Sequence, residues 1–269
     1  MSAFSEPAFA WEPITPRGVA AFARASLERL LVVQAVVALL AAAALAWFLS
    51  DSVFPVISNA LRRLPDQGEI RAGQLSWRDD SPQLLAEGNI IAISVDLEHS
   101  GALRSPADFQ FEFGKTSLRV FSLFGELEWN YPAGFIIAAN QRDARPAWGA
   151  WAPDLLALAA IGTFFGLLFI WALLAVICMV PVWIICFFFN RDLGFCASWK
   201  LAGAALMPGA LITSGALVVY GLGACDLVRF CFAFAAHLVL GGIYIFISPM
   251  FLSRVRPAVK PNPFERPGP

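Results

Sequence analysis

"MVPVWIICFFFNRD", residues 179–192, closes an apolar run that begins at Leu155 and meets no charge before Arg191. From Leu155 to Phe189 the run holds 35 residues. One upright membrane span takes about 20 residues, so the run is too long for one crossing and barely long enough for two. The number of crossings here decides which side of a membrane holds the C-terminal tail, and the rest of the topology follows from it.

Outward from this run the chain alternates between apolar and polar blocks. Residues 30–50, 201–222 and 230–252 carry no Asp, Glu, Lys or Arg. Residues 51–152 carry nine of the 19 Lys/Arg and 13 of the 20 Asp/Glu. The whole chain is 58% hydrophobic and 14% charged, with a mean hydropathy of +0.66. Soluble domains average roughly 45–50% apolar and about 25% charged. The composition is that of an integral membrane protein with a polar domain inserted between apolar blocks. A net charge of −1 and the lack of a Lys/Arg-dense segment exclude nucleic acid as a partner.

Basic residues choose between the two topologies. With one crossing at 155–189 and an inside N-terminus, Arg17, Arg24, Arg29, Arg191, Lys200, Arg254, Arg256, Lys260 and Arg266 all fall inside. The short outside loop near 223–229 then holds only Arg229. With two crossings the C-terminal basic residues move outside. Short inside loops collect Lys and Arg, whereas long loops translocate largely regardless of charge. Four spans with both termini cytoplasmic are therefore expected, in a bacterial plasma (inner) membrane. The surplus residues, Cys178 to Phe189, match the 10–14 residue length of an interfacial segment. Pro181 removes a backbone donor and kinks a helix there, which would lay Trp183, Phe187, Phe188 and Phe189 in the headgroup region. One overlong tilted helix is the alternative.

The expected organisation follows. Residues 1–29 form a cytoplasmic tail with an amphipathic lead-in, helical from Pro16 to Leu30. Residues 30–50 form the first span, too long an apolar stretch for an ordinary cleaved signal peptide. Residues 51–152 form an extracytoplasmic β domain entered through Pro55, and 153–252 form a three-helix membrane block. Its spans are 153–178, with the kinked or interfacial extension to 189, then 201–222 and 230–252. Residues 253–269, rich in Pro and basic residues, form a disordered cytoplasmic tail.

Within the polar block the period is two. Ile91, Ile93, Val95 and Leu97 share a face. Phe109, Phe111 and Phe113 alternate with Gln110 and Glu112, and Leu127, Trp129 and Tyr131 alternate with Glu126, Glu128 and Asn130. This predicts five or six mainly antiparallel strands over 66–131, with one buried face filled by the phenylalanines. All five cysteines lie in or beside the apolar blocks, so the β domain folds without disulfides. A core that small calls for support from the membrane surface or a partner. Trp148 and Trp151 are placed for an interfacial aromatic belt.

Two stretches carry a family resemblance. One is "GEIRAGQLSW…NIIAISVDL…TSLRVFSLFGELEWNYP"; the other is "GFCASWKLAGAALMPGALI", residues 194–212. The layout of residues 30–252 resembles a bacterial multi-span membrane family of unknown function. Its members include membrane proteins of maltodextrin-utilisation loci, and it is similar to the wider Yip-type group. Asp96 and Pro208 are the positions that match. The resemblance implies topology and no particular chemistry.

Candidate chemistry is sparse. His237, in "FAFAAHLVLGGIY", is an ionisable side chain deep in an apolar block, and such groups are functional hypotheses by default. No Asp or Glu in a span offers it a relay partner, and a neutral imidazole bonded to a neighbouring helix is the alternative. Gly162 and Gly166 form GxxxG, read as packing within the chain. Pro208 and Gly209 read as a packing kink, with Thr213 and Ser214 placed to serve freed carbonyls. Asp226 and Arg229, three apart on the outside loop, form a pair or a small site. Asp79, Asp80 and Glu87 lack EF-hand spacing. There is no CxxC, HExxH, GxSxG or P-loop, no cofactor is called for, and nothing sets His99 beside a nucleophile. The expected function is a non-enzymatic envelope protein. Its β domain meets a partner, another envelope protein, for binding, assembly or sensing. A transport accessory built on the helix block and a membrane-embedded enzyme are the alternatives.

Overall fold

The computed structural model describes residues 11–254. The first ten residues and all but two residues of the tail 253–269 lie outside the described residues. Four helices are long and apolar enough to cross a membrane: Leu27–Arg62, Gln141–Phe188, Phe195–Gly221 and Leu227–Phe251. Their outward faces carry Leu158, Phe165, Phe169, Ile177, Phe232 and Leu238, each more than 60% exposed. Side chains this large and apolar need a nonpolar solvent around them.

The chain forms two compact units. One comprises Met1–Val36, Leu168–Gly209 and Leu238–Pro269 as far as they are described. Here the lead-in is not one helix. Helix α1 (Pro16–Phe22) ends before α2 (Leu27–Phe48) begins. α1 starts as expected at Pro16, with Thr15 accepting from the Gly18 amide at 3.0 Å. It buries Val19, Ala20 and Phe22. Helix α5 (Phe195–Ala205) packs on α1, and its Gly203 faces Gln34 of α2 and Ala175 of α4 (Gln141–Phe188). The Gln34 amide of α2, only 5% exposed, donates to the Gly203 carbonyl at 3.3 Å. A Cβ on Gly203 would come within 3.2 Å of that amide nitrogen.

In the same unit the basic segments converge. Lys200 Nζ donates to the Ala25 carbonyl at 2.6 Å. Arg191 donates to the Leu252 carbonyl and pairs backbone to backbone with Arg254. Arg24 reaches Ser253, and the Arg17 guanidinium sits 5.4 Å from the Phe251 ring centre. The N-terminal lead-in, the α4–α5 loop and the C-terminal end of the last helix therefore lie at one end. α4 is one continuous helix through Pro181 to Phe188. Cys178 to Phe188 thus continue the helix, as in the overlong-helix alternative.

The other unit comprises Val37–Leu167 and Ala210–His237. The first membrane helix does not end at Pro55. Pro55 has no N–H for the carbonyl of Asp51, and the backbone widens into a π-turn over Leu49–Val53. It then continues as α3 (Phe54–Arg62). The region 51–152 is thus helical at both ends, and Trp148 of α4 reaches α3. Its Nε1 donates to Ser58 Oγ at 3.0 Å, and its ring packs edge-on against Phe54.

Eight strands lie between the helices, more than the expected five or six, in two sheets. β1 (Glu69–Arg71), β2 (Gln74–Ser76) and β8 (Ile137–Ala138) form a small antiparallel sheet in the order β2-β1-β8. β3 (Gln83–Glu87), β4 (Ile91–Val95), β5 (Phe109–Phe113), β6 (Ser117–Ser122) and β7 (Gly125–Asn130) form the larger sheet in sequence order. It is not wholly antiparallel, because β4 and β5 run parallel, with Ile91 beside Phe109 and Val95 beside Phe113. A parallel pair needs a crossover of about a dozen residues or more, and residues 96–108 supply it without a helix. The apolar core gathers on one face: Val56 and Ala60 of α3, Ile70, Leu75, Leu85, Ile91 and Val95, with Phe109, Phe111 and Phe113 packed at its margin.

Helix α6 (Met207–Gly221) follows α5 after a break at Leu206. Pro208 has no N–H for the carbonyl of Ala204, which ends α5 there. Ser214 donates to Ala210, its own residue four back, at 2.8 Å, so it does not serve the carbonyl that Pro208 frees. α7 (Leu227–Ile247) completes the set.

Candidate functional site

The larger sheet has two working faces. The phenylalanines of "FQFEF" are only partly buried, while Gln110 and Glu112 between them are 3% and 0% exposed. The faces alternate as expected, but the polar face is not open to water. The crossover 96–108 lies over it and supplies partners for its buried groups.

Asp96 starts the crossover. Its carboxylate accepts from Ser100 Oγ at 2.7 Å and from the Gly101 amide at 3.2 Å. Burial disfavours the charged form. The Ser100 hydroxyl and nearby amides outweigh that cost and hold the carboxyl below its ordinary value of 3.8. The tight turn puts His99 at φ +50° and Gly101 at φ +72°, a region that suits glycine and costs other residues. His99 Nδ1 then meets Glu112 Oε1 at 2.8 Å, and Nε2 meets Ser117 Oγ at 3.2 Å. The ring lies flat on Gly114, where an added Cβ would fall 2.0 Å from Nε2. Further along, Gln110 accepts from the Ser105 amide and donates to Ser94 Oγ and the Leu103 carbonyl. Arg104 lies over the Phe121 ring at 4.1 Å and 4.0 Å from Glu112 Oε2.

His99, Ser117 and Glu112 thus touch in the order of a hydrolase triad, a juxtaposition that the sequence reading did not foresee. Proton accounting separates them from one. Ser117 Oγ donates its single proton to Glu128 Oε1 at 2.6 Å. That bond, with Arg119 adding to it, holds Glu128 below the ordinary carboxylate range. Ser117 has no second proton for His99, and at 1% exposure it is closed to a substrate. His99 instead bridges Glu112 on one side and Ser117 on the other, a buried hydrogen-bonded clamp on the crossover.

The opposite face holds a cavity of about 270 Å³. α3 contributes Ile57, Ala60 and Leu61, the strands contribute Leu75, Ile93 and Phe113, and Ala144 closes one side from the first turn of α4. Every side chain lining it is apolar apart from the Trp77 indole N–H. An engineered cavity of about 150 Å³ with such a lining stays dry and takes up benzene.

The other expected site residues lie apart from both features. His237 turns Nδ1 to the Phe234 carbonyl and its ring edge to the Phe234 ring, within its own helix and not to a neighbouring one. Asp226 accepts from the Arg229 amide at 2.8 Å as the cap of α7, and its carboxylate lies 3.6 Å from Arg229 Nε. A Cβ on Gly162 or Gly166 would meet nothing within 4 Å. Their expected packing within the chain is therefore not found among the described residues. Asp79 folds onto Ser81 and Gln83, while Glu87 accepts from Ser105, so no acidic cluster forms. Among the described residues no three His, Cys, Asp or Glu side chains gather as a metal site. Sequence reasoning missed His99, Glu112 and Ser117. The one available signal was a glutamate between phenylalanines in a strand with few other charges.

The folded chain is a helical membrane protein carrying a small mixed-sheet domain. Comparison with family models, with curated proteins and with solved structures yields no match.

Proposed function

We propose that this chain is a non-enzymatic binding protein of a bacterial plasma membrane. Its extracytoplasmic sheet domain receives an apolar group, in the first instance the acyl chain of a lipid or lipid-linked molecule. The cavity between α3 and the sheet carries this reading. An acyl chain brings no polar atoms, whereas a peptide would bury amides against a lining with almost nothing to pair them. The polar clamp on the far face keeps the sheet rigid while the apolar face stays free to accommodate a guest.

Orientation in this reading follows the basic residues gathered at one end, which belong on the cytoplasmic side. The depth of α4 follows from its length. Residues 155–188 span about 51 Å. Confining them to a 30 Å hydrocarbon core would take a tilt of about 54°, beyond the usual 0–40°. Across the 40–45 Å that includes headgroups, a tilt of roughly 30° suffices. Trp183, Phe187 and Phe188 then sit at headgroup depth without a separate interfacial segment. Kinship with the maltodextrin-locus and Yip-type layout belongs to the same proposal and rests on the sequence pattern.

Photolabelling of purified protein with a diazirine fatty acid tests the cavity. Adducts should map to the peptide spanning Ile70–Trp77. Ala144→Phe, which fills the cavity from its rim, should cut them about tenfold, equal to about 1.4 kcal/mol. Labelling confined to lipid-facing helix surfaces and indifferent to Ala144→Phe would reject the reading.

A further inference from the structure

The β6–β7 hairpin ends in Leu123 and Phe124, which are 61% and 72% exposed. The turn closes through Gly125 at φ +113°, and turn tips are normally built from Gly, Asn, Asp, Pro or Ser. Two large apolar side chains there need a nonpolar neighbour, and the fold indicates which one.

Strand register fixes which end of the sheet holds the tip. Ile91, Phe109 and Ser122 stand side by side, and Gly125 faces Ser122. Just beyond Phe109, Asp108 accepts from the Tyr220 hydroxyl at 2.6 Å. Just before Ile91, Asn89 approaches Gly223. Tyr220 is the next-to-last residue of α6, and Gly223 lies in the turn to α7. The end of the sheet that carries the tip therefore rests at the level where α6 leaves the apolar layer.

Two further contacts set that level. Ser52 donates to the Gly221 carbonyl at 3.1 Å, so the π-turn stands beside the end of α6. Trp148 meets Ser58, six residues beyond Ser52 on the side away from the apolar layer. Asp51, beside Ser52, and Asp226, at the start of α7, thus mark the outer edge of the apolar layer. The tip reaches this plane from the other side.

We propose that Leu123 and Phe124 insert into the outer leaflet, so that the β6–β7 tip is a membrane anchor of the sheet domain. The partner is the lipid surface itself, met at its interfacial and upper acyl region, where aromatic side chains are favoured. The opposite turn of the sheet, at Lys115, is exposed, polar and remote from that plane. This proposal shares the membrane orientation used above but not the cavity. Emptying or filling the cavity leaves it untouched.

The experiment places benzoylphenylalanine at position 124 of the full chain in phosphatidylcholine vesicles and measures protein–lipid adducts by intact mass after irradiation. The same probe at Lys115 gives the solvent level. At Phe232, on the outer face of α7, it gives the fully lipid-exposed level. Position 124 should yield several-fold more lipid adduct than position 115 and approach position 232. The probe at Leu123 should behave likewise, which guards against a local fault at 124. Adduct at the Lys115 level overturns the proposal, as do crosslinks that join protein to protein in place of lipid.

Discussion

Glu112→Ala should destabilise the sheet domain by about 3 kcal/mol, the upper cost of leaving a buried hydrogen-bonding partner unsatisfied. Glu112 lies in the middle of β5 with no exposed surface. His99 Nδ1 lies 2.8 Å from one of its oxygens. The other oxygen is buried, with no hydrogen bond and only the distant Arg104 beside it. The alanine variant leaves His99 Nδ1 without its buried partner under the crossover and opens the turn that Asp96 organises. Hydrogen exchange of the Phe109–Phe113 and Ser117–Ser122 amides in the full-length protein reports the effect. Protection there should fall by about two powers of ten, or about 3 kcal/mol, with that of the membrane helices unchanged. Glu112→Gln keeps an acceptor for His99 and should lose less. A loss below about 1 kcal/mol for the alanine variant would mean that the crossover is held by something other than this clamp.

The second large effect is expected at Gly114. A methyl group there overlaps the His99 ring at 2.0 Å from Nε2 and 2.4 Å from Cε1. The ring has no room to retreat, because its two nitrogens are tied to Glu112 and Ser117. Gly114→Ala therefore carries an overpacking cost of about 1–3 kcal/mol and breaks the clamp as well. In a His99→Ala background the same substitution should be nearly neutral, because the methyl group then occupies the vacated space. The double-mutant cycle should give a coupling of about 2–3 kcal/mol, at the upper end for touching residues. Additive effects would place the role of Gly114 in the backbone and leave the ring contact without consequence.

These residues show where sequence reasoning stops. The membrane helices are legible because the favourable transfer of apolar residues accumulates over about 20 positions, and no tertiary detail reverses so long a sum. The strands are legible for a similar reason: alternation at Phe109, Phe111 and Phe113 fixes two faces whatever covers them. What covers a face is a long-range fact. Gln110 and Glu112 read as solvent-facing until the crossover 96–108 is laid over them, and nothing local to β5 announces it. The parallel pairing of β4 and β5 was hidden in the same way, by an irregular crossover where a helix is usual. Pro181 does not end α4, which runs through it to Phe188. Gly162 and Gly166 look like a packing motif, yet only open space lies beside them. Gln34 was passed over because it carries no charge, although its amide is what ties α2 to α5.

The proposed orientation requires four crossings, with the basic ends on the cytoplasmic side and the sheet domain outside. Single cysteines at Lys115, in the outer turn of the sheet, and at Lys260, in the basic tail, test it with a membrane-impermeant maleimide on intact spheroplasts. The native cysteines supply the baseline. The account predicts labelling above baseline at position 115 in intact spheroplasts, and at position 260 only after the membrane is permeabilised. Labelling of both positions in intact spheroplasts, or of position 260 alone, would contradict it.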